Sequence, residues 1–510
     1  MITRVFSAAV VGIEATEIEI EVHTGPGEPS IIVVGLPDAA VKESKDRVIA
    51  ALSNSGYRWP RKRTTVNLAP ADIRKQGPSF DLPIALGMIA ADREEELPRF
   101  AHCAVAGELA LTGEVRPVKG ALPLALEARA RGKKALILPA ANAAEAAVVG
   151  GIDVYGVRNL REAHEFLSRS ITLSAEPRSG NEVFKDIPVD VDFSEVKGQH
   201  LVRRAVEVAV AGGHNLLLIG PPGSGKSMLA RRIPTIMPPM SLEESIEVTT
   251  IHSVCGALLP GSALVTRRPF RDPHHTVSDI GLLGGTAQVT PGEISMAHHG
   301  VLFLDELAEF RRSTLEVLRQ PLEEGSVTVT RAAGSTTFPS AFMLVAAMNP
   351  CPCGHHGDPK RECRCSPGQI ERYRRKISGP LLDRIDLHVE APAIAYDELT
   401  ATSPAESSEL IRARVLRARD IQRTRFGSTA RIPCNARMGH SQLREHCLLD
   451  DDGNELLRNA MTDLNFSARG YHRILKVART VADLAGSVSI RPDHLLEALG
   501  YRSLDRNLWG

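Results

Sequence analysis

Leu216-Leu-Leu-Ile-Gly-Pro-Pro-Gly-Ser-Gly-Lys-Ser227 sets what the rest of this 510-residue chain has to be. Leu216 to Ile219 are an apolar run suited to a strand buried on both faces of a parallel sheet. Gly220, Gly225, Lys226 and Ser227 then satisfy the spacing G-x-x-x-x-G-K-[ST], and Met228 to Ile233 open a helix. Strand, glycine-rich loop and helix, in that order, are the setting a phosphate-binding loop requires. Across Gly220, Pro221, Pro222, Gly223, Ser224 and Gly225 the backbone can turn its N–H groups onto a β-phosphate, helped by the positive end of the helix dipole. Lys226 is expected to bridge the β- and γ-phosphates and the Ser227 hydroxyl to ligate Mg²⁺. A glycine-rich turn with a chance lysine is the plain alternative, and the flanking strand and helix argue against it. The expected cofactors are ATP and Mg²⁺.

Length and composition set the frame around this loop. The chain is too long for one core, which predicts several domains. It carries 61 basic and 61 acidic residues, so any nucleic-acid contact must come from local patches rather than an overall basic field. Aromatic residues make up 4%, too few for a broad base-stacking surface. No stretch reaches the ~20 apolar residues of a membrane span, and the N-terminal segment lacks a signal peptide's apolar region. Eight cysteines without a secretory signal point to a reducing cytoplasm, and the lack of a membrane-length apolar stretch to no membrane partner.

Downstream of the loop, Gly300-Val-Leu-Phe-Leu-Asp-Glu-Leu307 predicts a second buried strand with two carboxylates at its C-terminal edge, where open α/β sheets bind ligands. Asp305 is expected to hold Mg²⁺, and Glu306 to orient and deprotonate the attacking water. Ala341 to Asn349 is a third apolar strand, and its terminal Asn349 suits a residue that senses the γ-phosphate. In Ser378-Gly-Pro-Leu-Leu-Asp-Arg-Ile-Asp-Leu387, Arg384 fits an arginine offered to a neighbour's ATP, since guanidinium binds phosphate oxygens bidentately. A local ion pair with Asp383 or Asp386 is its plainer reading.

Ahead of the loop, residues 3–35 alternate like strands and residues 37–54 like a helix. The turns Gln76-Gly-Pro-Ser79 and Thr112-Gly-Glu114 resemble the proteolytic domain of Lon-type proteases. Ser79 matches that family's serine, but Leu122 falls where it has its lysine, and a serine nucleophile needs an adjacent base. Peptidase activity is therefore not expected, Lys119 being off register, and Ser79 is predicted to cap the following helix. Arg58, Arg61, Lys62 and Arg63 around Trp59 form a basic run, a solvated face unless it meets nucleic acid.

The succession of phosphate loop, Asp305-Glu306, Asn349 and Arg384 resembles the AAA+ ATPases. Arg268-Pro-Phe-Arg-Asp-Pro-His-His-Thr276, Pro291-Gly-Glu-Ile-Ser295 and Cys351-Pro-Cys353 are similar to their magnesium-chelatase-like branch. With the Lon-like domain in front, nearly the whole chain resembles the ComM/YifB-type proteins. The fold so implied is α/β: a Lon-protease-like domain over residues 1–170, a linker over 171–191, a parallel-sheet AAA+ core over 192–400 and a helical lid over 401–510. The resemblance implies a homohexameric ring with ATP between subunits, acting on single-stranded or branched DNA as a branch-migration helicase in recombination or transformation. It places Val196 and Gln199 beside the nucleotide. Arg469, in Ser467-Ala-Arg-Gly470, matches the lid arginine that reaches the γ-phosphate, with Arg473 one turn on as its substitute. Lys226, Ser227, Asp305, Glu306, Asn349 and Arg469 are thus expected on one side of the nucleotide and Arg384 from the next subunit. A protein-remodelling or metal-chelatase-type ATPase without DNA translocation is the alternative from another class.

Three further stretches are candidate contacts. Cys351, Cys353, Cys363 and Cys365 can close a tetrahedral structural Zn²⁺ site, with His355 and His356 in reserve. Arg372, Arg374, Arg375 and Lys376 beside it, with Tyr373 as a stacking face, are a candidate phosphate-backbone patch. Gly325 to Thr337 predicts a hairpin with Arg331 near its tip, a candidate DNA contact, and residues 251–298 lengthen the core enough to be another. The paired histidines 274–275 and 298–299 suit structural or nucleotide-relay roles rather than a metal.

Overall fold

The computed structural model describes all residues except 1, 59–61, 179–190, 260, 286–288, 332–333, 359–360, 395–404, 428–431, 464–466, 503 and 505–510. The chain divides into two compact units, Met1–Asp186 with Ser241–Thr266, and Ile187–Met240 with Arg267–Gly510.

The first unit is built on strands β1 (Ile2–Val11), β2 (Glu14–Gly25), β3 (Ser30–Val34), β4 (Arg63–Ala69), β5 (Cys103–Val105), β8 (Ala135–Pro139) and β9 (Asp153–Val157), with a two-stranded ribbon of β6 (Glu108–Leu109) and β7 (Val115–Arg116). The seven run in the order β3-β4-β2-β1-β5-β8-β9. β1 and β2 form a hairpin in register Val11↔Glu14 to Ile2↔His23. Alternation along β2 sends Ile18, Ile20 and Val22 into the core and leaves Glu17, Glu19 and Glu21 outside it. The helix Asp81–Arg93 is buried on every side from Asp81 to Ala91, as expected of a helix apolar all round. The Asp81 carboxylate at its start pairs with Arg47 at 2.7 Å and accepts from the Ser44 hydroxyl at 2.5 Å.

Ser79 does not cap that helix: Phe80 is its N-cap residue and no side-chain cap bond forms. Leu122 is fully buried at the start of the helix Ala121–Ala130, where its amide donates to Glu145 at 3.0 Å. Of the basic run near residue 58, Trp59 and Arg61 lie outside the described residues.

The helix Leu242–Cys255, which the sequence assigned to the core of the later domain, belongs to the first unit. It packs on the helix Ala121–Ala130, and Ser253 donates its hydroxyl to the buried Glu145.

The second unit holds a five-stranded sheet in the order β11-β12-β15-β10-β16, formed by β11 (Phe270–Arg271), β12 (Val301–Leu304), β15 (Met343–Met348), β10 (Leu216–Ile219) and β16 (Leu387–Glu390). All its pairings are parallel. The three central strands are buried along their whole length, because helices cover both faces. β13 (Ser326–Arg331) and β14 (Gly334–Pro339) make the expected hairpin, in register Ser326↔Pro339.

The C-terminal helices share one hydrophobic core with this sheet. Ile411, Val415 and Ala418 from the helix Ser408–Phe426, and Ile474, Val477 and Val481 from the helix Ala468–Leu484, cluster with Phe193, Val206 and Leu216. Within the described residues, the helices of the lid expected over 401–510 thus pack on the same core as the sheet. Ser467 caps the later helix as its position predicts, accepting from the Gly470 amide at 3.2 Å.

Candidate nucleotide-hydrolysis site

Parallel pairing brings the C-terminal ends of β10, β12 and β15 side by side, and each ends in a residue the sequence singled out. β10 runs into the loop 220–225, β12 into Asp305 and Glu306, and β15 into Asn349. The loop must start on glycine, because a Cβ at Gly220 would sit 2.0 Å from the Ala391 carbonyl oxygen. Gly223 and Gly225 have φ of 78° and 84°, the left-handed backbone that turns successive amides the same way.

Lys226 opens the helix Lys226–Ile236 and is buried. Its Nζ donates to the Gly220 carbonyl at 2.8 Å and the Pro221 carbonyl at 2.9 Å, and lies 3.4 Å from Asn349 Oδ1. Burial lowers its pKa from the usual lysine range, with the Asp305 charge opposing that shift. Ser227 Oγ donates to Asp305 Oδ2 at 2.5 Å, so the hydroxyl and carboxylate expected to serve one Mg²⁺ lie in contact. The residues present fit a Mg²⁺–nucleotide. Bound there, the ion would neutralise charge on the phosphates, while Lys226 and Ser227 supply the cradle.

Glu306 is exposed, held in a left-handed conformation with φ 51°. His275 Nδ1 lies 3.3 Å from its carboxylate, and the His275 ring stacks on His274 with centroids 4.1 Å apart. The histidine pair flagged in the sequence therefore reaches the candidate base. Gln199 Nε2 donates to the Ser224 carbonyl at 3.2 Å and to the Pro392 carbonyl at 2.5 Å, tying the loop to the segment after β16. Val196 is wholly buried in the core.

Arg384 and Arg469 are found elsewhere. Arg384 ion-pairs with Glu323, and its Nη1 donates to the Pro380 carbonyl at 2.6 Å. Its partner is thus neither Asp383 nor Asp386. Glu323 is held below the usual carboxylate range, first by that hydrogen bond and then by the charges of Arg384 and Arg469. The Arg469 charge thus acts at Glu323 alongside that of Arg384. Arg473, one turn on, is 3.5 Å from Asp386, and Thr480 bonds His214 at 2.8 Å. His214 and Asp386 precede β10 and β16, so this helix is anchored at the N-terminal edge of the sheet, opposite the phosphate loop.

Cys351, Cys353, Cys363 and Cys365 converge with their sulfurs all within 4.8 Å of one another. Three of the separations are 3.4, 3.6 and 3.7 Å. Four sulfurs about 2.3 Å from one Zn²⁺ form a tetrahedron with edges of about 3.8 Å, so the donor set fits that ion. The His356 amide donates to Cys351 Sγ at 3.3 Å, and His355 pairs with Asp358 at 3.4 Å, so neither ring is needed as a ligand.

The neighbouring basic residues separate by environment. Arg372 is exposed. Arg375 pairs with Glu371 at 2.5 Å and Lys376 with Glu309 at 3.3 Å. Arg374 turns inward instead, donating to the Pro350 carbonyl at 3.3 Å and lining a cavity of about 250 Å³ with Gly220 and Pro221. Half-buried there, it is less open to solvent than Arg372 and Arg375. Tyr373 is buried, which pushes its phenol up to about 12, and it offers no stacking face. In the hairpin, Arg331 is exposed while its Nε donates to the Gly285 carbonyl at 2.9 Å; the adjoining tip, residues 332–333, lies outside the described residues.

Comparison with known proteins agrees with this geometry. Residues 192–399 match the family described as magnesium chelatase, subunit ChlI; residues 20–142 match subunit ChlI of Mg-chelatase; residues 405–502 match its C-terminal region. The chain is 42% identical to competence protein ComM of Haemophilus influenzae over 99% of its own length and 98% of that protein. It is 42% identical to YifB of Escherichia coli, over 99% and 97% of the two lengths. A 67 kDa magnesium-chelatase subunit of Chlorobaculum parvum is 27% identical over 31% of this chain and 23% of that one. Among the described residues no helix is long and apolar enough to cross a membrane. With its parallel-sheet core, its phosphate loop and this end-to-end likeness, the chain belongs to the ComM/YifB-type, magnesium-chelatase-like family of AAA+ ATPases.

Proposed function

We propose that this chain is a cytoplasmic ATP-driven motor that works on DNA as a homohexameric ring and moves branched junctions in recombination or transformation. The observation that carries the reading is a complete hydrolysis edge in a chain alignable end to end with a competence protein. Lys226 and the loop amides bind the phosphates, Ser227 and Asp305 hold Mg²⁺, and Asn349 reads the γ-phosphate. Glu306 takes the proton of the attacking water, with His275 keeping its carboxylate in place. Arg384 and Arg469, grouped around Glu323 away from their own loop, serve the ATP of the adjacent subunit. Exposed Arg372 and the hairpin arginine Arg331 contact phosphates of the DNA backbone, and the four cysteines hold a structural Zn²⁺.

ATPase rate with and without single-stranded and four-way-junction DNA tests this, with Lys226→Ala as the blank. The expected result is DNA-stimulated turnover that fades with salt, as backbone contacts release counterions. Turnover indifferent to DNA at low salt would sink the motor reading. The second reading, an ATPase that remodels a protein or serves a metal chelatase, is favoured by the partial likeness to a chelatase subunit. It predicts capture of a protein partner by Glu306→Gln in the presence of ATP.

A further inference from the structure

The cysteine cluster touches the hydrolysis site by four routes. Along the chain, Asn349 and Cys351 are separated only by Pro350. Gly354, with φ +82°, lies so close to the phosphate loop that a Cβ there would be 2.5 Å from Pro222 Cδ and 3.9 Å from Asn349 Cγ. Behind the cluster, the helix Pro367–Arg374 holds Asn349 and Pro350: the Asn349 backbone N–H faces the Tyr373 hydroxyl, and Arg374 Nε donates to the Pro350 carbonyl. Finally, the loop residues Gly220 and Pro221 and the cluster residues His356 and Gly357 line one cavity.

Between β15 and the helix Pro367–Arg374 the described residues form no regular element. Cys351 is fully buried, and the sulfurs of this segment meet one another rather than an apolar core. Four thiolates so close repel unless a cation lies between them, and a loop shaped by a metal loses that shape with it. The residues such a loop presses on then lose their fixed positions as well.

We propose that the metal-holding cysteine knuckle is a clamp on the hydrolysis site, fixing Asn349 and the Pro222 wall of the phosphate loop, so that metal occupancy sets turnover more than nucleotide affinity. The proposal rests on the assignments of Zn²⁺ to the four cysteines and of Asn349 to the γ-phosphate. Lys226 and the loop amides bind the phosphates by themselves, which is why affinity depends less on the knuckle. Asn349 must be placed to a fraction of an ångström when the water attacks, and that placement is what the knuckle supplies.

The experiment uses the full-length chain and four readouts: zinc content by mass spectrometry, affinity for a fluorescent ATP analogue, kcat and thermal midpoint. Zinc is removed with an organomercurial and chelator and then added back. Expected are one zinc per chain, a kcat at least about tenfold lower after removal with affinity changed less than about threefold, and recovery on re-addition. Tyr373→Phe, which removes one hydroxyl and leaves every cysteine, is expected to keep its zinc and lower kcat without weakening the analogue. Stoichiometric zinc whose removal leaves kcat unchanged would overturn the clamp and leave the zinc assignment standing. Zinc-free wild-type protein with full turnover would overturn both.

Discussion

Glu306 and Lys226 stand at one strand edge, yet their substitution should separate two functions. Lys226 is buried with its ammonium held by loop carbonyls, so Lys226→Ala removes a phosphate partner and should abolish nucleotide binding in a direct titration. Glu306 is exposed and has no part in the phosphate cradle. Glu306→Gln should bind ATP as the wild type does and turn it over about 10²–10⁴-fold more slowly, the usual reach of a positioned general base. Normal turnover in that variant would remove Glu306 from the mechanism. His275→Ala should cost less than Glu306→Gln, because His275 reaches the reacting water only through the carboxylate 3.3 Å away.

At the scale of elements, the helix Ala468–Leu484 is locked to the sheet by charge as well as by apolar packing. Asp386 receives the Asn215 amide at 3.1 Å and faces His214 at 3.4 Å and Arg473 at 3.5 Å. Burial by itself would raise its pKa; the His214 bond and the charges of His214, Arg473 and Lys476 outweigh that and hold it well below the usual carboxylate range. Burial in turn lowers Arg473 and Lys476, against the pull of Asp386. Asp386→Asn takes the nearest counter-charge from two half-buried cations, Arg473 and Lys476, and should cost about 3 kcal/mol in unfolding experiments. Because the folded pKa is depressed, the wild-type carboxylate stabilises the fold above its unfolded value of about 4, and that contribution fades as pH falls further. The variant should lack this acid limb. A variant as stable as wild type across neutral pH would show the pair to be replaceable.

For the whole molecule, the grouping of Arg384 and Arg469 around Glu323 predicts sites shared between subunits. Arg384→Ala and Glu306→Gln should each be nearly inactive alone. Mixed in equal amounts under conditions that allow subunit exchange, they should regain measurable ATPase, since some junctions would pair an intact Glu306 with an intact Arg384. No recovery in verified mixed oligomers would place Arg384 outside the neighbour's site.

By itself the sequence determined the phosphate loop, the two carboxylates after β12, the polar end of β15 and the meeting of four cysteines. Each is a local pattern whose chemistry depends on spacing: a glycine where the backbone must turn, an acid where an apolar strand stops. It did not determine which residues share a strand edge after folding. Arg473 sits one turn beyond the expected lid arginine, and the fold pairs it with Asp386 just before β16, a partner its local sequence does not name. Arg374 and Arg375 are adjacent and alike, and only tertiary packing half-buries one beside Pro350 while leaving the other in solvent. Likewise Leu242–Cys255 is a well-capped helix whose local sequence cannot reveal that its packing partner lies in the first unit, beside Glu145. Local chemistry is written along the chain, whereas the choice of partner is made by burial, which belongs to the folded molecule.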